Sequence, residues 1–487
     1  MKLKNIKSYI SLSALASQPA AAPAQRRLAG SCGIFFIVFL FSSCENFLTQ
    51  TSTNEIADGD MFTDLASLEN ARIGLYNTLQ NQYYYGGYYQ VTADAYSDNG
   101  ATGGYDNLDL DELGLKAATP NNIYIENIWI SIYNTIYTAN QIIGNVDVID
   151  DPLLSDELRN DIKGEALTIR AMAHFDLLRM FGEHWDMASS LGIPVVTSSL
   201  ETTAQAGRNT VAETYSAILN DLTEAENLLS NDDYRFDPPV FKGAQFITKT
   251  ACQALLARVF QYKKDYPNAA LYATKVIDEG FANPEGDVNS IYTTKFSSES
   301  IFELAFDGQD KSQFNALTYA RPDALRSEVS FLAAHGLKTF FDDRPGDFRG
   351  GLVDFINNDV SIEPDGRSQK YRGEIFQDNS AYIIRISEMY LIKGEADGFG
   401  GDGMTSVNDI RFLRGLVVIN PDNEEEFMDL LIDERRAELN FEGHRYFDLA
   451  HFGKVNEILG DDVLPCLPIP QREIGASGGI LEQYPGY

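Results

Sequence analysis

Between residues 80 and 90 the sequence reads Gln-Asn-Gln-Tyr-Tyr-Tyr-Gly-Gly-Tyr-Tyr-Gln, with Asp94, Asp98, Asn99 and Tyr105 close behind. Tyrosine rings offer flat apolar faces that stack on sugar rings, while neighbouring Asp and Asn side chains accept from and donate to hydroxyls. Tyr83, Tyr84, Tyr85, Tyr88 and Tyr89, helped by Asp94, Asp98 and Asn99, are therefore candidate ligand-binding residues. Packing of the same rings beneath a loop is the alternative. Adjacent tyrosines cannot all point inward, so some of them are expected to face solvent.

A second cluster runs from Asp433 to Leu449 (DERRAELNFEGHRYFDL) and has the make-up of a catalytic centre: acids, arginines and His444. Its spacing favours another reading. Asp433 with Arg436, and Arg435 with Glu438, are three apart on a helix, and Arg suits partly buried, bidentate carboxylate contacts. A structural ion-pair network is expected there. Paired carboxylates can hydrolyse glycosides, but among 71 acids a chance pair carries little weight. Asp106, Asp109, Asp111 and Glu112 lack the spacing of a calcium loop and read as solvated acids. Four cysteines and five histidines show no zinc-like spacing. No nucleophile elbow, phosphate loop or dinucleotide fingerprint occurs, and the glycines from 398 to 403 follow no strand. No catalytic residue, metal or cofactor is assigned.

The whole-chain balance, 38 Lys and Arg against 71 Asp and Glu, gives a net charge of −33 and argues against nucleic acid as a partner. With 44% apolar residues the chain can bury a large core. Residues 1–43 contain five bases and no acid, then the short apolar run Gly33–Phe41, which is too short to span a bilayer that needs roughly 20 helical residues. This is the plan of an export signal. Leu40-Phe41-Ser42-Ser43-Cys44 resembles a bacterial lipobox, so Cys44 is expected to become the acylated first residue of the mature chain, with residues 44–60 as a tether. A diacylglycerol and acyl anchor (palmitate-type) gives stable membrane attachment where a single chain is marginal.

The elements that must position these residues read as helices. Apolar residues recur at three and four in Leu65, Leu68, Leu75 and Leu79 behind Thr63 as N-cap, and in Ile125, Ile128, Trp129, Ile132, Tyr133, Ile136 and Tyr137. Ser155 starts a helix that ends near Phe181-Gly182, and Thr210 with Glu213 forms a capping box. Residues 250–280 read as a helical hairpin in which Ala257 and Ala269 mark close helix contacts and Phe260 and Tyr266 fill the gaps, the tetratricopeptide pattern. Helix pairs are expected at 61–81 with 122–145, 155–181 with 210–230, 250–280, and 381–397 with 405–416. The fold class is all-α: a tetratricopeptide-like repeat of about four degenerate helix pairs, with long loops (83–121 among them) and minor β-hairpins at Ile193–Val196 and Ile301–Phe306. Regions 61–230 and 231–487 are expected to pack as one elongated domain.

Several segments together resemble the SusD/RagB family. They are Cys44-Glu45-Asn46-Phe47-Leu48, Ile169–Phe175 through Phe181-Gly182, Ile193-Pro194-Val195, Gly346–Arg349, Lys370-Tyr371-Arg372, Ile384–Tyr390, the Asp433–Leu449 block and Leu467–Pro470. Phe348 and His451 depart from the residues common in the family, proline and arginine. The resemblance implies a non-enzymatic lipoprotein anchored in a Bacteroidota-type outer membrane and facing the exterior. Such a protein binds a nutrient, usually an oligosaccharide and in some members a peptide, and passes it to a SusC-like TonB-dependent transporter. A lipid-anchored surface hydrolase is the runner-up reading, and a structural adaptor that grips only the transporter is a third. The family's ligand residues sit in variable loops, so the resemblance transfers none of them.

Overall fold

Side-chain caps fix where the long helices begin. Ser155 Oγ accepts the Leu158 N–H ahead of helix Asp156–Phe181, and Thr210 and Glu213 cap each other's backbone ahead of helix Val211–Leu228. Each cap is worth about 1 kcal/mol. The first helix, Leu65–Leu79, starts one residue later than Thr63 would allow: Asp64 Oδ1 takes the Ser67 N–H at 2.8 Å, and Ser67 Oγ takes the Asp64 N–H in return.

The computed structural model describes residues 62–103, 106–198, 206–314, 331–355, 366–371 and 378–487. The proposed leader 1–43, Cys44 and the tether to residue 60 lie outside the described residues. Helix Leu65–Leu79 packs on Ile123–Asn145, Asp156–Phe181 on Val211–Leu228, Lys249–Tyr262 on Tyr266–Glu279, and Ile386–Asp397 on Gly403–Leu413. Successive pairs also pack on one another, through Ile123–Asn145 with Asp156–Phe181, Val211–Leu228 with Lys249–Tyr262, and Tyr266–Glu279 with Ile386–Asp397. This is the expected all-α, tetratricopeptide-like array. Ala257 and Ala269 are fully buried where the third pair closes, and Phe260 stacks on Tyr272 at 5.7 Å.

Buried Arg–carboxylate clips join the pairs. Arg72 on the first pair grips Glu165 on the second at 2.6 and 2.7 Å, and Arg258 on the third grips Glu388 on the fourth at 2.6 and 2.5 Å. Within the second pair Arg170 grips Asp221. Each is the bidentate fork that guanidinium geometry favours, and each satisfies charges that would be costly to bury alone.

The strands differ from expectation. Ile193–Val196 is irregular, because Pro194 has no N–H to give a ladder and its neighbours bond to side chains. Tyr133 Oη–H donates to the Pro194 carbonyl, the Val195 N–H to Asn209 Oδ1, and the Val196 N–H to His174 Nε2. Strand Ser300–Leu304 exists but pairs antiparallel with the distant Ala381–Arg385, not in a hairpin. A two-residue hairpin forms instead at Asp232–Asp233 with Val240–Phe241. A four-stranded sheet joins Gly100–Thr102, Phe331–Ala333, Gly366–Ser368 and Val353–Phe355 in that order. Region 83–121 is not one long loop, since it holds helices Tyr88–Ala95 and Leu108–Gly114. Asn107 caps the second of these, and Asp109 and Asp111 occupy its first turn, where acids are favoured.

Candidate functional site

The tyrosine segment folds as a tight turn followed by helix Tyr88–Ala95. The Asn81 carbonyl accepts the Tyr84 and Gly86 N–H groups, and Gly86 backs so closely on Gln80 and Asn81 that no Cβ fits. The turn drives most of the rings inward. Tyr84, Tyr85 and Tyr89 are buried, with centroids 4.5 to 5.5 Å apart. Tyr84 and Tyr85 both donate to Asp176 Oδ2, at 2.6 and 2.8 Å, and Arg179 donates to Tyr89 Oη at 3.0 Å and to Asp176 Oδ1 at 2.5 Å. Burial, followed by the Asp176 charge, holds the Tyr84 and Tyr85 hydroxyls well above their ordinary range, so they act as fixed donors. Arg179 also lies over the rings of Phe175, Phe447 and Tyr262. These three tyrosines are therefore not a stacking surface. A buried carboxylate that needs donors has drawn them into the core.

Asp94, Asp98 and Asn99 are likewise structural. Asp94 is fully buried and accepts the Phe441 and Gly443 N–H groups at 3.0 and 2.8 Å. It braces a turn in which both residues have left-handed backbone (φ 60° and 80°), and a Cβ on Gly443 would come within 2.8 Å of Gln90 Cα. Burial lifts the Asp94 carboxyl to about 6 against the pull of these N–H groups. Asp98 forms a fork with Arg445 at 2.7 and 3.0 Å and also pairs with Arg436. Asn99 bridges Arg436 Nε and Asp94. The three expected ligand contacts are ties between the end of helix Tyr88–Ala95 and the C-terminal block.

That block is the ion-pair lattice its composition suggested, wired differently. Rather than pairing along the helix, Arg435 grips Asp448 at 3.0 and 2.7 Å, and Glu438 takes Arg349, Arg385 and Arg414. Glu442 takes Arg385, Lys370 and the Tyr292 hydroxyl. Burial followed by the surrounding arginines keeps His444 neutral, with its pKa well below the usual imidazole value. His451 meets Glu395 at 2.7 Å.

Two of the predicted tyrosines stand apart from the core lattice. Tyr83 is half-buried and lies 5.5 Å from Tyr88 in a stacked pair; both meet Tyr124, at 6.3 and 4.8 Å. Tyr88 is buried, whereas Tyr83 and Tyr124 are half-buried, packed against the core with part of each ring accessible. Asn81 Oδ1 accepts the Tyr83 N–H at 2.9 Å and the Ser131 hydroxyl at 3.2 Å, and Asn107 Nδ2 donates to Tyr124 Oη at 3.1 Å. Exposed Asn81 and Gln82 immediately precede Tyr83, and Asn107 holds Tyr124; the Asn81 Oδ1 and the Asn107 amide are engaged in these protein contacts. Accessible aromatic faces beside exposed amide side chains suit a pyranose, whose C–H faces stack while its hydroxyls bond at the edge. Tyr124, Asn81 and Asn107 were not singled out from sequence. Tyr124 was legible as a ring off the buried Ile125–Ile128–Ile132 stripe. A separate cavity of about 320 Å³ beside Trp129 and Tyr133 is walled by Ile130, Val196 and Leu481 and carries the Glu473 and Ser477 side chains.

Two family profiles match segments of this chain, one in each half. One, described as starch-binding and associating with the outer membrane, covers residues 46–261; the other, described as the SusD family, covers 363–463. The chain belongs to the SusD/RagB family. A SusD-like protein of Formosa agariphila is 22% identical, over 92% of this chain and 96% of that one. A crystal structure of a SusD superfamily protein from Bacteroides thetaiotaomicron is 25% identical and superposes with a TM-score of 0.74, covering 87% of this chain and all of that one. A laminarin-binding SusD-like protein shares the fold at 19% identity, with a TM-score of 0.73 over 88% of this chain and 100% of that one. SusD-like proteins are a sugar-binding family associated with the outer membrane. Among the described residues no helix is long and apolar enough to cross a membrane.

Proposed function

We propose that this protein captures an oligosaccharide at the outer face of the outer membrane and hands it, uncleaved, to a SusC-like TonB-dependent transporter. The observation that carries this reading is the partly accessible face of Tyr83 and Tyr124, in contact with Tyr88 and beside exposed Asn81 and Gln82. Family membership supports the cargo class, and the laminarin-binding relative makes β-glucan a first candidate. The signal-like leader and lipobox support anchoring through Cys44. The transporter partnership rests on the family resemblance.

Affinity electrophoresis tests the binding. Migration of the purified chain is expected to slow in gels cast with a soluble polysaccharide such as laminarin or starch, and Tyr83→Ala with Tyr124→Ala should restore free migration. Equal migration of wild type across a broad glycan panel would overturn the cargo, and retardation unchanged in the double variant would move the site. Anchoring has its own check: Cys44→Ser should shift the protein from the membrane pellet to the soluble fraction, and a pellet unchanged by the substitution contradicts it.

A further inference from the structure

We infer that the outer face of the fourth helix pair is a docking surface for a basic, apolar-tipped segment of a different protein chain. Phe412, Val417 and Val418 are 71%, 77% and 59% exposed, unusual for large apolar side chains that lie so close together. Val418 also lines a groove of about 460 Å³, together with Phe399, Met404 and Pro421. Thr405 and Asp409 line that groove, and Phe412 follows them at helical spacing on the same exposed face of Gly403–Leu413. Phe348, also exposed, extends the patch: its N–H bonds the Arg414 carbonyl and its ring lies against Gly415.

The patch is held in place. Asn408 grips the backbone of Ile419 twice, donating to its carbonyl at 2.8 Å and accepting its N–H at 3.1 Å, and Arg411 donates to the Val417 carbonyl. The valines therefore face outward on a pinned segment, and their exposure needs no conformational change before contact.

Charge selects the occupant. Asp409 lines the groove, Asp402 and Asp422 adjoin its lining residues Gly401 and Pro421, and all three are exposed, whereas the two bases between residues 398 and 430, Arg411 and Arg414, are buried against Glu434 and Glu438. A second copy would bring the same acids and a net charge of −33, and anionic lipid headgroups are repelled for the same reason. A partner that buries the apolar centre and neutralises the rim must carry Lys or Arg around an aliphatic or aromatic tip.

The test is fluorescence anisotropy of the purified full chain with a labelled amphipathic leucine–lysine peptide and with its leucine–glutamate counterpart. The lysine peptide is expected to bind. Phe412→Ser with Val417→Ser and Val418→Ser should weaken it at least tenfold, while Asp402→Asn with Asp409→Asn and Asp422→Asn should weaken it and flatten its salt dependence. Should the triple serine variant fail to fold, the single Val417→Ser change carries the comparison, with at least a twofold loss expected. Equal binding by the serine variants would reduce the effect to net charge and overturn the proposal. So would binding of the glutamate peptide, a concentration-dependent dimer lost in the serine variants, or Phe412-dependent sedimentation with phosphatidylglycerol vesicles.

Discussion

Asp176 accepts hydroxyls from Tyr84 and Tyr85 and a guanidinium N–H from Arg179, so one buried carboxylate organises the rings that sequence had offered as a binding platform. Removing it leaves Arg179 uncompensated and two hydroxyls without an acceptor. Asp176→Ala is expected to cost about 3–5 kcal/mol, measured by urea unfolding. A loss under about 1 kcal/mol would mean the lattice is not what holds these residues inward. Acid should act on the same class of groups. Burial pushes Glu165 up, but Arg72 and Lys242 outweigh it and bring its carboxyl to about 2, while burial, then Arg170, takes His174 down to about 3. Both groups bind fewer protons folded than unfolded, so the stability they contribute is present at neutral pH and is lost on acidification. For His174 the loss begins below about 6.5, and for Glu165 below about 4.5. Asp94 and Asp161, raised to about 6 chiefly by burial, oppose this between pH 6 and 4 and no longer do so below it. Unfolding free energy is therefore expected to drop steeply between pH 4.5 and 3. Stability that stays flat across that interval would contradict the assignment.

At the scale of elements, the helix pairs depend on clips as well as on apolar faces. Arg258 reaches from the third pair to Glu388 on the fourth and to the Ile383 carbonyl. Arg258→Ala should destabilise by about 3–5 kcal/mol because Glu388 is left charged and buried, whereas Arg258→Met with Glu388→Met should recover most of that loss. Chemical denaturation of the three proteins separates the cases; equal losses in the single and double variants would show that packing, not unpaired charge, dominates. The helices themselves were legible because apolar residues at three- and four-residue spacing, with Ser155, Thr210 and Glu213 at their starts, are local signals. Helix Tyr88–Ala95 was hidden by the tyrosine run, although Tyr88, Val91, Thr92 and Ala95 do follow a helical face. The four-stranded sheet was not legible, since strands of three residues carry no usable period and one of the pairings, Gly100–Thr102 with Phe331–Ala333, spans more than two hundred positions.

For the whole molecule, the helical fold and the charged C-terminal block are legible in the sequence, whereas most of the candidate site is not. Buried charges such as Asp176, Arg179 and Asp94 look like surface residues in a linear reading. Only the folded chain shows that Tyr84, Tyr85 and Tyr89 turn toward them while Tyr83 joins Tyr124 at the surface. The site is thus smaller than the motif, and most of the motif secures the junction between the two halves through Asp94, Asp98 and Asn99. Calorimetric titration with a laminarin-type β-glucan oligosaccharide, with the sugar recovered and sized afterwards, tests the central claim most directly. The account predicts saturable binding of intact glycan, weakened at least tenfold by Tyr83→Ala with Tyr124→Ala at an unchanged melting temperature. Glycan binding indifferent to both tyrosines, no binding across a panel of glycans, or recovery of a cleaved sugar would contradict it.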